Sequence, residues 1–547
     1  MFSANTDQEF VASKTISIKP DSQIDYVPSS QARFLIPQYL GFINPERTTL
    51  KMNIELTGRG WNRPCKYAGA HSLIRDIRIQ TGDGITELEN LQDYNQTVAN
   101  SWNYTGNETI NNKRDMFEGR SFNADVDAGL LYHKPPAIQP TDATIIRTTA
   151  TNEKIQVQLP IVGSGILGGS NIAPLMAMSG LRMTVNFDTA EKSMSDLRQD
   201  GPLYYSGYNT FAPPLEVALA VGDDSKAAIG TEFSCTVGIS DADKIANSPF
   251  FMGDMLYVAD DVNGTNEESL GVVTGVSIDA TNGNNLKMTY IPDRALTTGL
   301  THAHATNSKV YVKLEDRQAD HPQGWAGTGI TTNYPPIGWV VSELEIVTDQ
   351  VQPPAEYVSR LVNKIGTAEG LSMDYKTYTT YRNNVFATSG LTTQNIPAQQ
   401  TRAYSILSVP LATRASSDIR YDSLEALPDA ASSYQFVLGN ATVPDRMVDL
   451  SRTTSTTSAA ISQLALLETE KAISNCGLVV RDLLNVKDKL IIGRALSRYG
   501  QVFNLAEESV ALRVEYPLGA RVAKNFCHQI CHLNRLNISK AGVRVIR

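Results

Sequence analysis

The sequence predicts a mainly antiparallel β protein of two tandem sandwiches, with a small β domain inserted into the first. Three observations carry this: strict two-residue alternation of apolar side chains, few helical signals, and changes of texture beside Pro-Pro pairs. In Leu50-Lys-Met52-Asn-Ile54-Glu-Leu56 every second residue is apolar. Ile155-Gln-Val157-Gln-Leu159, Leu181-Arg-Met183-Thr-Val185-Asn-Phe187 and Val510-Ala-Leu512-Arg-Val514-Glu-Tyr516 repeat the pattern. Strand side chains point to opposite faces in turn, so each segment sets one face on a core and the other toward solvent or a partner. Parallel strands buried on both faces would read as unbroken apolar runs.

Three helices are expected. Thr86-Glu-Leu-Glu89 reads as a capping box that opens a helix with Leu88, Leu91, Val98 and Trp102 on one face. A second runs from Glu356, with Val358, Leu361, Val362 and Ile365 inward and Gly366 as its stop. A third covers 459–473, with Ile461, Leu464, Leu467 and Ala472 as its stripe. Long polar loops between the strands favour Greek-key sandwiches over meanders.

The stretch 215–316 differs in texture, with short strands and tight turns. Asn263-Gly264 and Asn282-Gly283 suit the positive φ of type I′ hairpins. Phe250, Met252, Leu256, Tyr257, Val258, Met288, Tyr290, Val310 and Val312 are enough to fill a small barrel. Pro213-Pro214 precedes the stretch and Pro335-Pro336 follows it; Pro353-Pro354 marks a further boundary. The expected organisation is an N-terminal arm (1–29), a first domain (30–350) carrying the insertion, a linker (351–364) and a second domain (365–547). The arm has little packing potential alone and is expected to order against neighbours or the inner side of an assembly.

At 547 residues the chain exceeds one ordinary core, and 41% hydrophobic residues suffice to fill two or three. Only 19% are charged, against an average of about a quarter, which suits a protein that buries much of its outside in an assembly. Net charge is -9 and no dense Lys/Arg run occurs, so no direct nucleic-acid binding is expected. The locally basic end (Arg521, Lys524, Arg535, Lys540, Arg544, Arg547) spreads its charges among apolar residues and reads as solvated surface. Five cysteines (Cys65, Cys235, Cys476, Cys527, Cys531) imply no disulfide framework and favour a reducing compartment. The opening MFSANTDQEF lacks the features of a secretory signal. No apolar run approaches the ~20 residues a membrane helix needs.

Motifs that could carry chemistry are few. Gly163-Ser-Gly165-Ile-Leu-Gly168 is a formal GxGxxG, with Asp188 about twenty residues on, as in dinucleotide-binding units. The helix it should open contains Gly169, Asn171, Pro174 and Gly180, and no β-α-β alternation follows, so a loop is the stronger reading. Cys527-His528-Gln-Ile-Cys531-His532 gathers four metal-ligand types, but all four cannot converge from one regular strand or helix. Small buried side chains near a turn explain it better. His302 and His304, in a Thr/Ala-rich loop, are expected to be solvated. Asp260-Asp261-Val-Asn263-Gly264 is half a calcium loop, with Leu270 where the bidentate acid belongs. GxSxG, HExxH and P-loop motifs are absent. No catalytic, cofactor or metal residue is assigned, and the chain reads as a non-enzyme.

Several blocks resemble, in order, the major capsid proteins of polinton-like viruses, virophages and their larger DNA-virus relatives. FLIPQYLGFINPERTTLKMNIEL (34–56) is similar to the opening of their first jelly roll, and HSLIRDIRIQTGDGITELENLQDYN (71–95) to the next block. LPIVGSGILGGSNIAPLMAMSGLRMTVNF (159–187) resembles their Gly-rich loop and following strand. IPAQQTRAYSILSVPL (396–411), YQFVLGNATVPDRMVDLS (434–451) and LNISKAGVRVIR (536–547) look like parts of the second jelly roll. The resemblance implies a double jelly roll forming homotrimeric, pseudo-hexagonal capsomers of an icosahedral shell in the virion, assembled inside the host cell. Implied partners are neighbouring capsomers and minor capsid, cement and penton proteins; contact with an inner membrane stays open. The insertion departs from the family pattern and implies an outward tower. A receptor- or carbohydrate-binding β-sandwich protein is the runner-up reading, and a β-rich hydrolase the third.

Overall fold

The alternating segments are strands, and their apolar residues face inward: Leu50, Met52, Ile54, Leu56, Met183, Val185, Leu512 and Val514 are all buried. The computed structural model describes residues 12–57, 62–65, 68–105, 117–119, 154–169, 173–196, 204–205, 214–224, 232–238, 255–261, 265–279, 285–292, 299–313, 338–386, 390–412, 424, 431–450, 463–475, 491–496, 502–516 and 524–546.

The first unit begins with β1 (Ala12–Ile18), β2 (Asp25–Tyr26), β3 (Gln31–Ile36), β4 (Phe42–Thr57), β5 (Asn62–Pro64), β6 (Ile74–Thr81) and β7 (Glu87–Leu91). It continues through α1 (Tyr94–Thr105), β8 (Ile155–Pro160), β9 (Ala173–Pro174), β10 (Leu181–Phe187), α2 (Ala190–Ser193) and β11 (Met194–Asp196). Then come β12 (Tyr204–Tyr205), β13 (Phe233–Gly238), β14 (Met255–Ala259), β15 (Glu268–Ile278), β16 (Asn285–Ile291) and β17 (Lys309–Lys313). These six form a sheet of their own, in the order β12-β17-β14-β15-β16-β13, around an apolar cluster that includes Leu256, Val273, Met288 and Tyr290. Strand β18 (Gly338–Gln352) returns to the first unit. That unit stacks the sheet β1-β18-β4-β8 on the sheet β3-β10-β6-β7, with Phe34, Met52, Ile77, Met183 and Trp339 between them.

The second unit follows α3 (Ala355–Ile365). It contains β19 (Leu371–Val385), β20 (Gly390–Ile396), β21 (Ala403–Ala412), β22 (Ser433–Leu438), β23 (Ala441–Asp449) and α4 (Gln463–Asn475). It ends with β24 (Ile492–Ala495), β25 (Val510–Tyr516), β26 (Lys524–Ser539) and β27 (Gly542–Ile546). Its sheets are β19-β26-β21-β24, with β27 on β26, and β20-β25-β22-β23, enclosing Tyr434, Phe436, Leu512, Phe526 and Ile530. The paired strands run antiparallel in both units, as the alternation predicted.

Several expectations need correction. The capping box at Thr86–Glu89 opens no helix: Glu87–Leu91 is strand β7, and the helix begins at Tyr94. Both Leu88 and Glu89 are buried because the second unit covers this edge strand, so alternation is lost there. In α3, Leu361 is buried as expected, but Val362 is half exposed. In α4 the stripe is rotated: Ala465, Thr469, Ala472 and Ile473 face in, while Leu464 and Leu467 face out. Ile461, Phe250, Met252 and both Asn-Gly turns lie outside the described residues.

Residues 12–18, expected within an arm that orders against neighbours, pair instead with the chain's own β18, from Ala12 opposite Gln352 to Ile18 opposite Ile346. The unpaired edge of β18 supplies the reason, since a backbone ladder satisfies it while Ile16 and Ile18 pack against the first core. The expected linker is occupied by the end of β18 and most of α3.

Candidate functional site

The seam between the two units holds a set of buried polar groups. Glu89, on β7, is 1% exposed and accepts hydrogen bonds from Gly165 N (2.7 Å), Ile166 N (3.4 Å) and Ser164 Oγ. Burial nonetheless pushes its carboxyl up to about 7. The loop it holds is the Gly-rich stretch, which lies against β19 of the second unit. A Cβ on Gly163, whose φ is +78°, would meet the Tyr378 ring at 2.6 Å. One on Gly165 would meet Lys376 O at 2.5 Å. Close approach of the loop to the Tyr378 ring and the Lys376 backbone therefore explains these two glycines, and the GxGxxG shape serves packing instead of a pyrophosphate.

Polar contacts extend the seam. Tyr375 Oη donates to Leu88 O (2.6 Å), Thr380 Oγ1 to Gln92 O (3.1 Å) and Thr86 Oγ1 to Val543 O (3.1 Å). Arg382 grips Asp93 through one guanidinium edge, Nε donating to Oδ2 at 3.0 Å and Nη2 to Oδ1 at 2.6 Å. Leu371, Tyr375, Tyr378, Leu536 and Ile538 join the apolar cluster of the first unit, so one core crosses the boundary. A cleft of about 390 Å³ remains between the Gly loop and β19, reaching Tyr404, Gln529 and Cys531. Asp188, the supposed ribose acid, accepts from Asn95 Nδ2 (2.9 Å) and Thr189 N (2.8 Å) inside the first unit. That is a structural role.

Cys527, His528, Cys531 and His532 all lie on strand β26. Cys527 packs with Leu407, Val409 and Ile473 beneath α4, and burial lifts its thiol to about 12. His528, fully buried, sits between Ser408 Oγ (2.8 Å from Nδ1) and Asn383 Nδ2 (3.3 Å from Nε2). Burial drives its imidazole down to about 3. Ser, His and Asn thus meet as in a hydrolytic triad, but Ser408 is also fully buried, so no substrate reaches the pair. His532 Nε2 lies 2.9 Å from Thr379 Oγ1. Among the described residues no group of three or more His, Cys, Asp or Glu could hold a metal ion.

The histidine pair in the inserted sheet is a further correction. His302 is half exposed, but His304 is fully buried, with Asp260 and Glu268 on its two ring nitrogens. The loop folds back on the sheet because Leu219 and His304 exchange both backbone hydrogen bonds. Composition gave no sign of that pairing.

No family model and no curated protein matches the chain. Solved structures do. The Faustovirus major capsid protein aligns with 98% of this chain and 93% of its own, at 8% identity and a TM-score of 0.51. The fold is the double jelly roll. Also similar, with TM-scores below 0.5, are PBCV-1 VP54 fitted into a reconstruction of the virophage Sputnik and the PBCV-1 capsid in a quasi-atomic model. The first has 8% identity, 99% and 97% coverage and a TM-score of 0.46; the second has 8%, 99% and 97%, and 0.45. In this double jelly roll, the site just described is the joint that fixes one roll against the other.

Proposed function

We propose that the chain is a major capsid protein, forming homotrimeric, pseudo-hexagonal capsomers of an icosahedral shell in the virion. The observation that carries the reading is a double jelly-roll fold shared with a capsid protein along almost the whole of both chains. A tile must hold its shape under lateral load, and the continuous core, with the buried Glu89 contacts and the exposed Arg382–Asp93 pair at its edge, suits two rolls held as one body. We take the first roll as 12–352, since β1 and β2 join its sheet, and the second as 365–547, with the insertion at 215–316 as an outward tower. Light scattering should give three times the 59.7 kDa chain mass, and negative stain should show hexagonal plates. A stable monomer at micromolar concentration overturns the reading, because a trimer needs more than the ~800 Å² per partner of a standard interface.

Two further results are expected. The trimer should show no submicromolar, salt-sensitive binding to duplex DNA in filter-binding assays, given its net charge of -9. Pro214, just before the insertion, bridges to Lys309 in its last strand, so a short Gly/Ser linker should replace 215–316. That variant should remain trimeric, with a melting temperature within a few degrees of the parent by calorimetry and a missing protrusion by microscopy. Aggregated or monomeric protein would place the insertion in the tile.

A further inference from the structure

We infer that the inserted sheet carries a proton-operated clip, in which His304 ties β14 to β15 when both its ring nitrogens are protonated. His304 is fully buried, with Nδ1 2.9 Å from Asp260 Oδ1 and Nε2 3.7 Å from Glu268 Oε2. The two carboxylates stand at facing ends of the β14–β15 pair, on residues that follow Ala259 and open Glu268–Ile278. An imidazolium donates to both; a neutral ring has one N–H and turns a lone pair toward the other carboxylate. Nε2 has no hydrogen-bond partner as it stands, so one arm of the clip is open.

The carboxylates are built to hold it. Asp260 also accepts from Asn266 Nδ2 (2.7 Å) and Ser308 Oγ (3.4 Å). Glu268 accepts from Thr301 N at 2.9 and 3.1 Å and meets His302 Nδ1 at 3.1 Å. Neighbouring charges are engaged elsewhere: Asp261 accepts from Thr265, Glu267 from Tyr311, Asp223 from Ala220 N, and Asp224 from Tyr290 Oη. Lys309 begins the next strand, and Glu216 accompanies the 214–224 segment that pairs with the His304 backbone. Closing the clip therefore fastens the 299–308 loop, through Thr301, His302 and His304, onto the β14–β15 end of the sheet. Because only the doubly protonated ring can donate to both carboxylates, acid closes the clip and alkali opens it. It depends on no reading of the chain as a capsid protein.

Hydrogen exchange of the full chain, read by mass spectrometry and corrected for the intrinsic pH dependence, tests this. Between pH 5.5 and 8 the 299–308 peptides should exchange about tenfold faster at the alkaline end, the size a single lost charge-assisted contact gives. His304→Asn should abolish that pH dependence while His302→Asn keeps it. Glu268→Gln, which leaves the imidazole in place, should reduce it and shift its midpoint to lower pH. Exchange in the native chain that is flat with pH overturns the clip. So does an unchanged pH dependence in either His304→Asn or Glu268→Gln, and the second variant decides if the first fails to fold.

Discussion

Replacing Glu89 by leucine is expected to lower the stability of the double jelly roll by about 3–5 kcal/mol, the largest loss from any single seam residue. The carboxylate accepts from Gly165 N, Ile166 N and Ser164 Oγ, and leucine leaves all three donors buried without an acceptor. Each orphaned donor costs about 1–3 kcal/mol, and neighbours in one network do not add fully. Urea unfolding of the full chain at pH 6 reads the loss. Glu89→Gln separates the titration from the shape: it matches the protonated carboxyl that prevails at pH 6, keeps an oxygen for one donor and should cost about 1–2 kcal/mol. It also removes a titration. The native carboxyl is raised from 4.5 to about 7, so the folded state binds the proton more tightly than the unfolded chain. The stability this provides is complete below pH 4.5 and is lost as pH rises through 7. At about 1.4 kcal/mol per pH unit the loss reaches about 3 kcal/mol. A Glu89→Gln variant with the same pH profile as the parent would show that the carboxyl does not titrate in the seam.

The sequence and the structure agree best where one force decides the local shape. The segments 50–56, 155–159, 181–187 and 510–516 each set one face on a core, and alternation records that directly. Agreement fails where a strand is covered on both sides. In β7 the run Leu88-Glu89 is buried whole, because one residue faces the first core and the next meets the Gly loop and β19. Its polar residue then looks like a helix cap. Strand β26 fails the same test: Cys527, His528, Gln529 and Ile530 are all buried, since α4 lies over the face turned away from the sandwich core. A CHxxCH run placed there looks like a metal site and is a doubly covered strand. The seam itself was hidden for a related reason. Its partners lie far apart in sequence, as with Glu89 and Thr377 or Asp93 and Arg382, and only tertiary packing joins them. The Gly-rich loop was the one visible sign, and its glycines answer to the Tyr378 ring and the Lys376 carbonyl.

Acid should destabilise the second roll through His528, and His528→Gln should remove most of the effect. The imidazole is fully buried on β26, joined to Ser408 on β21 and Asn383 on β19. Its folded value lies near 3, against 6.5 unperturbed, so the unfolded chain binds the proton more tightly. The stability it provides is whole above pH 6.5 and is lost as pH falls toward 3, by up to about 4–5 kcal/mol at about 1.4 kcal/mol per pH unit. Glutamine fills a similar volume, can still bond Ser408 and cannot titrate. Unfolding at pH 7 and pH 4 should therefore differ by about 3 kcal/mol more in the parent than in His528→Gln. Glu89 works with the opposite sign, and the two share a body: the loop held by Glu89 rests on β19, and β19 pairs along its length with β26. Between pH 5 and 7 the two slopes nearly cancel, and the native chain should show an almost flat stability profile. Each single variant then exposes the other group. Glu89→Gln should lose stability on acidification below 6.5, His528→Gln should lose it as pH climbs from 4.5 to 7, and the double variant should be level. Parallel profiles in all four proteins would mean that neither buried group exchanges its proton on unfolding as its burial requires.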